Sequence, residues 1–223
     1  MTDTLSGTVT NAAGHPFLEG NLFPMHEELT ENDCRVTGQV PVALNGTFVR
    51  NGPNPMFEPV GRYHMFDGDG MLVGFRFDEG RVSFRNRCIH SRALDAEIRL
   101  GRAVYPGLSD LMNIPSPELV GDAGPFKNPA NTHIVRHAGR YLALYEGGPP
   151  TQVTADLDTI GELTWDGRLE GPMTAHPRID PRTGEMFFFG YQPFPPYIRY
   201  HVADAAGDLV HSTDIDLPAP IMM

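Results

Sequence analysis

Hydrophobic residues in this chain fall in short runs separated by turn-forming residues, and no long amphipathic stripe develops. From Gly46 onward, β-branched and aromatic residues recur at 47–49, 71–77 and 81–90, with Asp78-Glu79-Gly80 as a hairpin turn between the last two. Such a turn pairs its flanks antiparallel. The device returns at 132–136 and 141–145, which flank the short turn His137-Ala138-Gly139-Arg140. A third copy comprises the strongly apolar run 185–191, preceded by the turn Asp180-Pro181-Arg182-Thr183-Gly184, and the segments 197–202 and 208–215 across Asp204-Ala205-Ala206-Gly207. Only 94–100 has helical character, and Gly101 is placed to end it. Residues 1–40 show no sustained period and read as an N-terminal segment wrapped onto a single domain whose strands begin at about residue 41. The expected class is all-β. Hairpin repetition suits a sandwich, a barrel or a propeller, and the pattern does not choose among them.

Composition supports this picture and removes some functions. The 24 glycines and 21 prolines favour short strands and turns over helices, and 40% hydrophobic residues in 223 is enough for a globular core. Lys and Arg number 17 against 28 Asp and Glu, so the net charge of −11 opposes nucleic-acid binding through bulk electrostatics. Cys34 and Cys88 are neither a disulfide scaffold nor a zinc ribbon and read as unpaired thiols in a reducing cytoplasm. Residues 1–10 carry an acid, Asp3, without Lys, Arg or a continuous apolar core, unlike a secretory signal. No run approaches the roughly 20 apolar residues of a spanning helix, which leaves only peripheral contact with a membrane.

Few side chains invite chemistry. His176 is followed by Pro177, which disfavours helix and holds the histidine extended; it reads either as an inward-aimed metal ligand or as a loop histidine on the surface. Glu146 follows the apolar run 141–145, so its carboxylate is either buried with a compensating partner or released into water at Gly147-Gly148. His133 and His137 lie on one face of a predicted strand, with no third ligand nearby, and read as ordinary strand-edge histidines. Around His64, the alternating Asp67 and Asp69 lack the spacing of a calcium loop and read as Asp-Gly turn chemistry. Tyr191, Phe194 and Tyr197 read as packing residues in preference to a cavity lining. Serine-hydrolase elbows, Walker sequences and paired Cys-x-x-Cys motifs do not occur.

Several separated motifs, taken in order, resemble the carotenoid cleavage oxygenase family. They are Asn45-Gly46-Thr47-Phe48-Val49-Arg50-Asn51-Gly52-Pro53-Asn54-Pro55, the stretch 64–71, Asn131-Thr132, the stretch 142–146 and Thr174-Ala175-His176-Pro177. The resemblance runs from about Gly20 to the last residue. It implies a seven-bladed β-propeller carrying Fe2+ on four histidines, and cleavage of a C=C bond in a carotenoid, apocarotenoid or stilbene by O2 to two carbonyl products. His176 matches the first iron ligand, Glu146 a carboxylate that orients a different iron histidine, and Thr132 a small residue beside the open coordination position. The region 107–125, with Leu108, Leu111, Met112 and Ile114, matches an apolar segment that meets membranes and collects lipophilic substrate.

Relatives continue past the position of Met223 into a His-Asp-Phe motif that supplies the next ligand. The apolar stretch 217–223 therefore reads as a break inside a propeller truncated before closure, with one iron ligand of four, and inactivity of these residues alone is the expectation. The competing reading is a non-catalytic β-protein that takes an apolar ligand or a partner strand.

Overall fold

A computed structural model describes residues 3–4 and 15–220. The signal-peptide reading of 1–10 and the last residues of the 217–223 stretch lie outside the described residues for the most part. The chain divides into two compact units, the first comprising 1–131 and 156–158, the second 132–155 and 159–223.

The first unit holds β1 (Asp3–Thr4), β2 (Glu27–Glu28), β3 (Thr30–Glu31), β4 (Gly46–Asn54), β5 (Asp69–Asp78) and β6 (Arg81–Cys88), with β3-β6-β5-β4 forming a four-stranded antiparallel sheet. The β5–β6 hairpin closes on Glu79-Gly80, whose φ values of 49° and 82° are the two consecutive positive angles of a tight turn that matches strand twist. Cross-strand Phe75 and Phe84 pack with ring centroids 5.1 Å apart. The chain before β4 is tied down by two asparagines: Asn54 exchanges hydrogen bonds with Met25, and buried Asn86 accepts from Leu29 N and donates to Glu27 O.

Asp-Gly-Asp-Gly at 67–70 is structural. Asp67 accepts from the backbone amides of His64 and Leu108, Asp69 accepts from Met56 N, and a Cβ on Gly70 would meet the Pro129 and Ala130 carbonyls at 2.8 and 2.9 Å. The predicted helix appears as α1 (Arg92–Leu100), starting earlier than expected because Ser91 Oγ accepts from Leu94 N; Gly101 ends it in the left-handed region at φ 69°. Its buried face packs Leu94 against Met56, Phe57, Met71 and Cys88. Glu97 and Asp69 each lie 2.6 Å from Lys127 Nζ, and Glu97 also accepts from Val104 N and Tyr105 N. A four-residue helix, α2 (Pro117–Val120), follows in the apolar segment. No helix among the described residues is long and apolar enough to cross a membrane.

The second unit holds β7 (His133–His137), β8 (Arg140–Leu144), β9 (Thr151–Val153) and β10 (Thr159–Glu162) in one antiparallel meander, then β11 (Arg178–Ile179), β12 (Met186–Tyr191), β13 (Ile198–Ala203) and β14 (Leu209–Ile215) in another. Ala138-Gly139, with φ 48° and 76°, repeats the turn of the first hairpin. Leu142, Leu144, Leu169, Met173, Met186, Phe188 and Leu209 form the core around Trp165. Trp165, Phe188 and His201 stack in succession, with centroids 5.8 and 4.9 Å apart. Strand residues alternate along β12, burying Met186, Phe188 and Gly190. Phe194 departs from the packing expectation: it stands 74% exposed on the turn that Gln192 N closes by donating to Tyr197 O.

Candidate functional site

Glu146 lies two residues past the end of β8, where Gly147-Gly148 turns the chain away. Its side chain is 26% exposed, so neither of the two sequence-based alternatives holds in full. One oxygen, Oε1, accepts from Ala175 N at 3.0 Å and from the Thr174 hydroxyl at 3.3 Å. The other, Oε2, is buried and has no donor among the described residues. A carboxylate oxygen out of water without a donor is costly, and such an atom marks a place where an N–H or O–H is expected.

The histidine loop is pinned to the same carboxylate. Met173 N donates to Gly148 O at 3.0 Å and Thr174 N to Phe189 O at 2.7 Å, which lays the loop along β12; His176 N then donates to Thr174 Oγ1 at 3.2 Å. The backbone of His176 is fixed while its imidazole stays 67% exposed, with Nε2 3.7 Å from Glu146 Oε1, beyond hydrogen-bonding range. Close approach of the loop depends on Gly190, because a Cβ there would overlap the Pro172 carbonyl. Gly190→Ala is expected to cost roughly 1–3 kcal/mol and to displace the 172–176 loop, checked by urea denaturation and by loss of amide-exchange protection at Thr174.

His133 reaches the site from the start of β7. Its ring meets that of His176 edge to face, with centroids 6.0 Å apart and an interplanar angle of 65°. Burial, together with the neighbouring His176, holds the His133 pKa below the ordinary histidine value. The sequence pattern gave no reason to single it out: His137, on the same strand face, is buried and bonded through Nε2 to Gly184 O at 2.9 Å, an ordinary structural role. Thr132 is exposed beside His133, and its N–H donates to Leu144 O at 2.9 Å. Tyr191 adds a hydroxyl whose pKa is raised by burial and then by the Glu146 charge, so it stays protonated. His64 is remote in role, since its Nδ1 accepts from Phe66 N within a capped turn.

Among the described residues no group of three or more His, Cys, Asp or Glu is arranged to hold a metal ion. What the second unit does offer is one exposed imidazole on a fixed backbone and, beside it, one buried carboxylate oxygen that awaits a donor. Those features fit one ligand of an imidazole-bound metal and the support of another imidazole, whose unused ring N–H such a carboxylate receives.

The chain resembles known proteins over nearly its whole length. Residues 22–223 match the family model described as retinal pigment epithelial membrane protein, RPE65. Carotenoid 9,10(9',10')-cleavage dioxygenase 1 of Phaseolus vulgaris is 39% identical over 224 residues, a match covering 94% of this chain and 41% of that protein. Among solved structures, the Pseudomonas brassicacearum lignostilbene dioxygenase superimposes with a TM-score of 0.84 at 31% identity, covering 94% of this chain and 44% of that one. A variant of the Synechocystis apocarotenoid oxygenase gives 0.73 at 28% identity, covering 89% and 44%. The chain thus spans about two-fifths of the length of the relatives it matches.

Proposed function

Because the chain belongs to the RPE65 and carotenoid cleavage oxygenase family, we propose that its residues serve a dioxygenase that cleaves a C=C bond of a carotenoid, apocarotenoid or stilbene. Both atoms of O2 end in the two carbonyl products, so the reaction balances without an external reductant. Fe2+ is the metal of this proposal and would supply the redox chemistry with dioxygen. The observation that carries the reading is the pairing of the exposed His176 imidazole with a neighbouring carboxylate that keeps one buried oxygen free.

Each residue has a part that its geometry supports. His176 gives one imidazole ligand. Glu146 uses Oε1 to hold the His176 loop and offers Oε2 to the ring N–H of a further ligand histidine from outside these residues, fixing that ring's tautomer. Thr132, small and exposed, leaves space at the site. The three four-stranded sheets are read as blades of a seven-bladed propeller. In the first unit, Leu108, Leu111, Met112 and Ile114 are exposed, Met112 by 86%, which suits peripheral contact with a membrane or a lipophilic substrate. With a single ligand histidine, these residues alone are expected to be inactive.

The test compares iron content and oxygen-dependent cleavage of an apocarotenal and a stilbene. It uses this chain and the same chain joined to the remaining part of the Pseudomonas brassicacearum dioxygenase. The joined protein is expected to bind iron and cleave one substrate, with both lost in His176→Ala; full iron occupancy in His176→Ala would overturn the assignment.

A further inference from the structure

We infer that His133 is a positioning residue for His176, setting the orientation of the ring through an edge-to-face contact. The inference rests on the proposed role of His176. The anchors of His176 are all in the backbone: its N–H is held by Thr174 Oγ1, and the loop before it by Gly148 and Phe189. Nothing in that set restrains rotation about the side-chain bonds of an imidazole that is two-thirds exposed. Glu146 Oε1, at 3.7 Å, is too far for a hydrogen bond and is already occupied by Ala175 N and the Thr174 hydroxyl. Among the described residues, the aromatic neighbour of that ring is His133, at 6.0 Å and 65°, a geometry that aromatic rings favour.

His133 presents that ring from a braced backbone. It opens β7 in register with Leu144, the last residue of β8, so its backbone is braced by the hairpin that also delivers Glu146. The His176 ring thus has the His133 ring on β7 as an aromatic neighbour, with Glu146 Oε1, beyond β8, 3.7 Å from its Nε2. A ligand whose orientation is set before metal arrives loses less rotamer freedom on binding, and loss of such support typically costs about 10–100-fold in metal affinity. The interaction used is ring packing, so phenylalanine should replace His133 and alanine should not.

The experiment follows the His176 ring by NMR of the full 223-residue chain with 13C,15N-labelled histidine, without metal, in wild type, His133→Ala and His133→Phe. In the alanine variant the ring-current displacement of the His176 ring protons should vanish and the ring order parameter fall. In the phenylalanine variant both should persist. Cobalt(II) affinity of the joined protein should drop about tenfold in His133→Ala and change little in His133→Phe. Unchanged His176 ring signals in His133→Ala overturn the inference. If the ring signals respond as expected and the joined wild type binds no metal, the ligand role of His176 fails while the ring contact stands.

Discussion

Replacing Lys127 with methionine is expected to lower the stability of the first unit by about 3–5 kcal/mol, the usual cost of stranding buried charge by removing its counter-ion. Lys127 Nζ sits 2.6 Å from both Asp69 Oδ1 and Glu97 Oε2, and those two residues are 3% and 1% exposed. Burial alone would push the ammonium pKa down, yet the two carboxylates in contact with it raise it above its ordinary value. The carboxylates have further work: Glu97 receives the amides of Val104 and Tyr105, and Asp69 that of Met56, so neither can turn outward without breaking the backbone around it. Circular dichroism during urea denaturation measures the loss. The triple variant Lys127→Met, Asp69→Asn, Glu97→Gln should recover much of it, because neutral amides can remain buried with partial hydrogen bonding. By contrast, Arg92→Met, which removes the exposed pair with Asp122, should cost less than about 1 kcal/mol.

Acid should weaken the second unit through His201. This residue is fully buried, stacked on Phe188 and hydrogen-bonded through Nδ1 to Ser212 Oγ at 2.8 Å, while its Nε2 has no partner among the described residues. Burial first, then the Arg199 charge, pushes its pKa down from 6.5 to about 4; Asp214 pulls the other way and His211 adds to the depression. Above pH 6.5 the ring is neutral in folded and unfolded chains alike and contributes no pH dependence. As pH falls below that value the unfolded chain takes up a proton that the folded chain refuses, so stability declines until the folded form also protonates near pH 4. The loss over that window is about 2–3 kcal/mol. The single tryptophan, Trp165, stacks on Phe188 in the same column, so its fluorescence during urea denaturation at successive pH values reads the effect directly. His201→Gln keeps a partner for Ser212 and should flatten the profile between pH 6.5 and 4; an equally steep profile in that variant would locate the proton elsewhere.

Hairpins were legible because their turns have local causes. Glu79-Gly80 and Ala138-Gly139 need two consecutive positive φ angles, which a glycine at the second position eases, and the flanking β-branched and aromatic residues favour extended backbone. The helix over 94–100 was equally local, with Gly101 as its cap. By contrast β3, β9, β10 and β11 are two to four residues long and exist because a neighbouring strand offers hydrogen bonds, a cause that no period reveals. Site residues divide in the same way. Pro177 and the apolar run before Glu146 directed notice to His176 and Glu146, while the approach of His133 to His176 arises from tertiary packing. Lys127 was silent for the same reason, since its partners lie on β5 and α1, and His201 was hidden in an alternating strand as one more buried position.

Strand order has a consequence for synthesis. The meanders over 133–162 and 178–215 take their strands in the order in which the chain leaves the ribosome, each pairing with the one just made. Loop closures stay short, so each sheet can assemble vectorially, each new strand adding to the edge left by the one before it. The first sheet is different, because among the described residues β3, Thr30–Glu31, pairs with β6, Arg81–Cys88, and not with the strand made next. Its N-terminal strand must wait through the synthesis of β4 and β5, so this sheet is completed only after residue 88 has emerged.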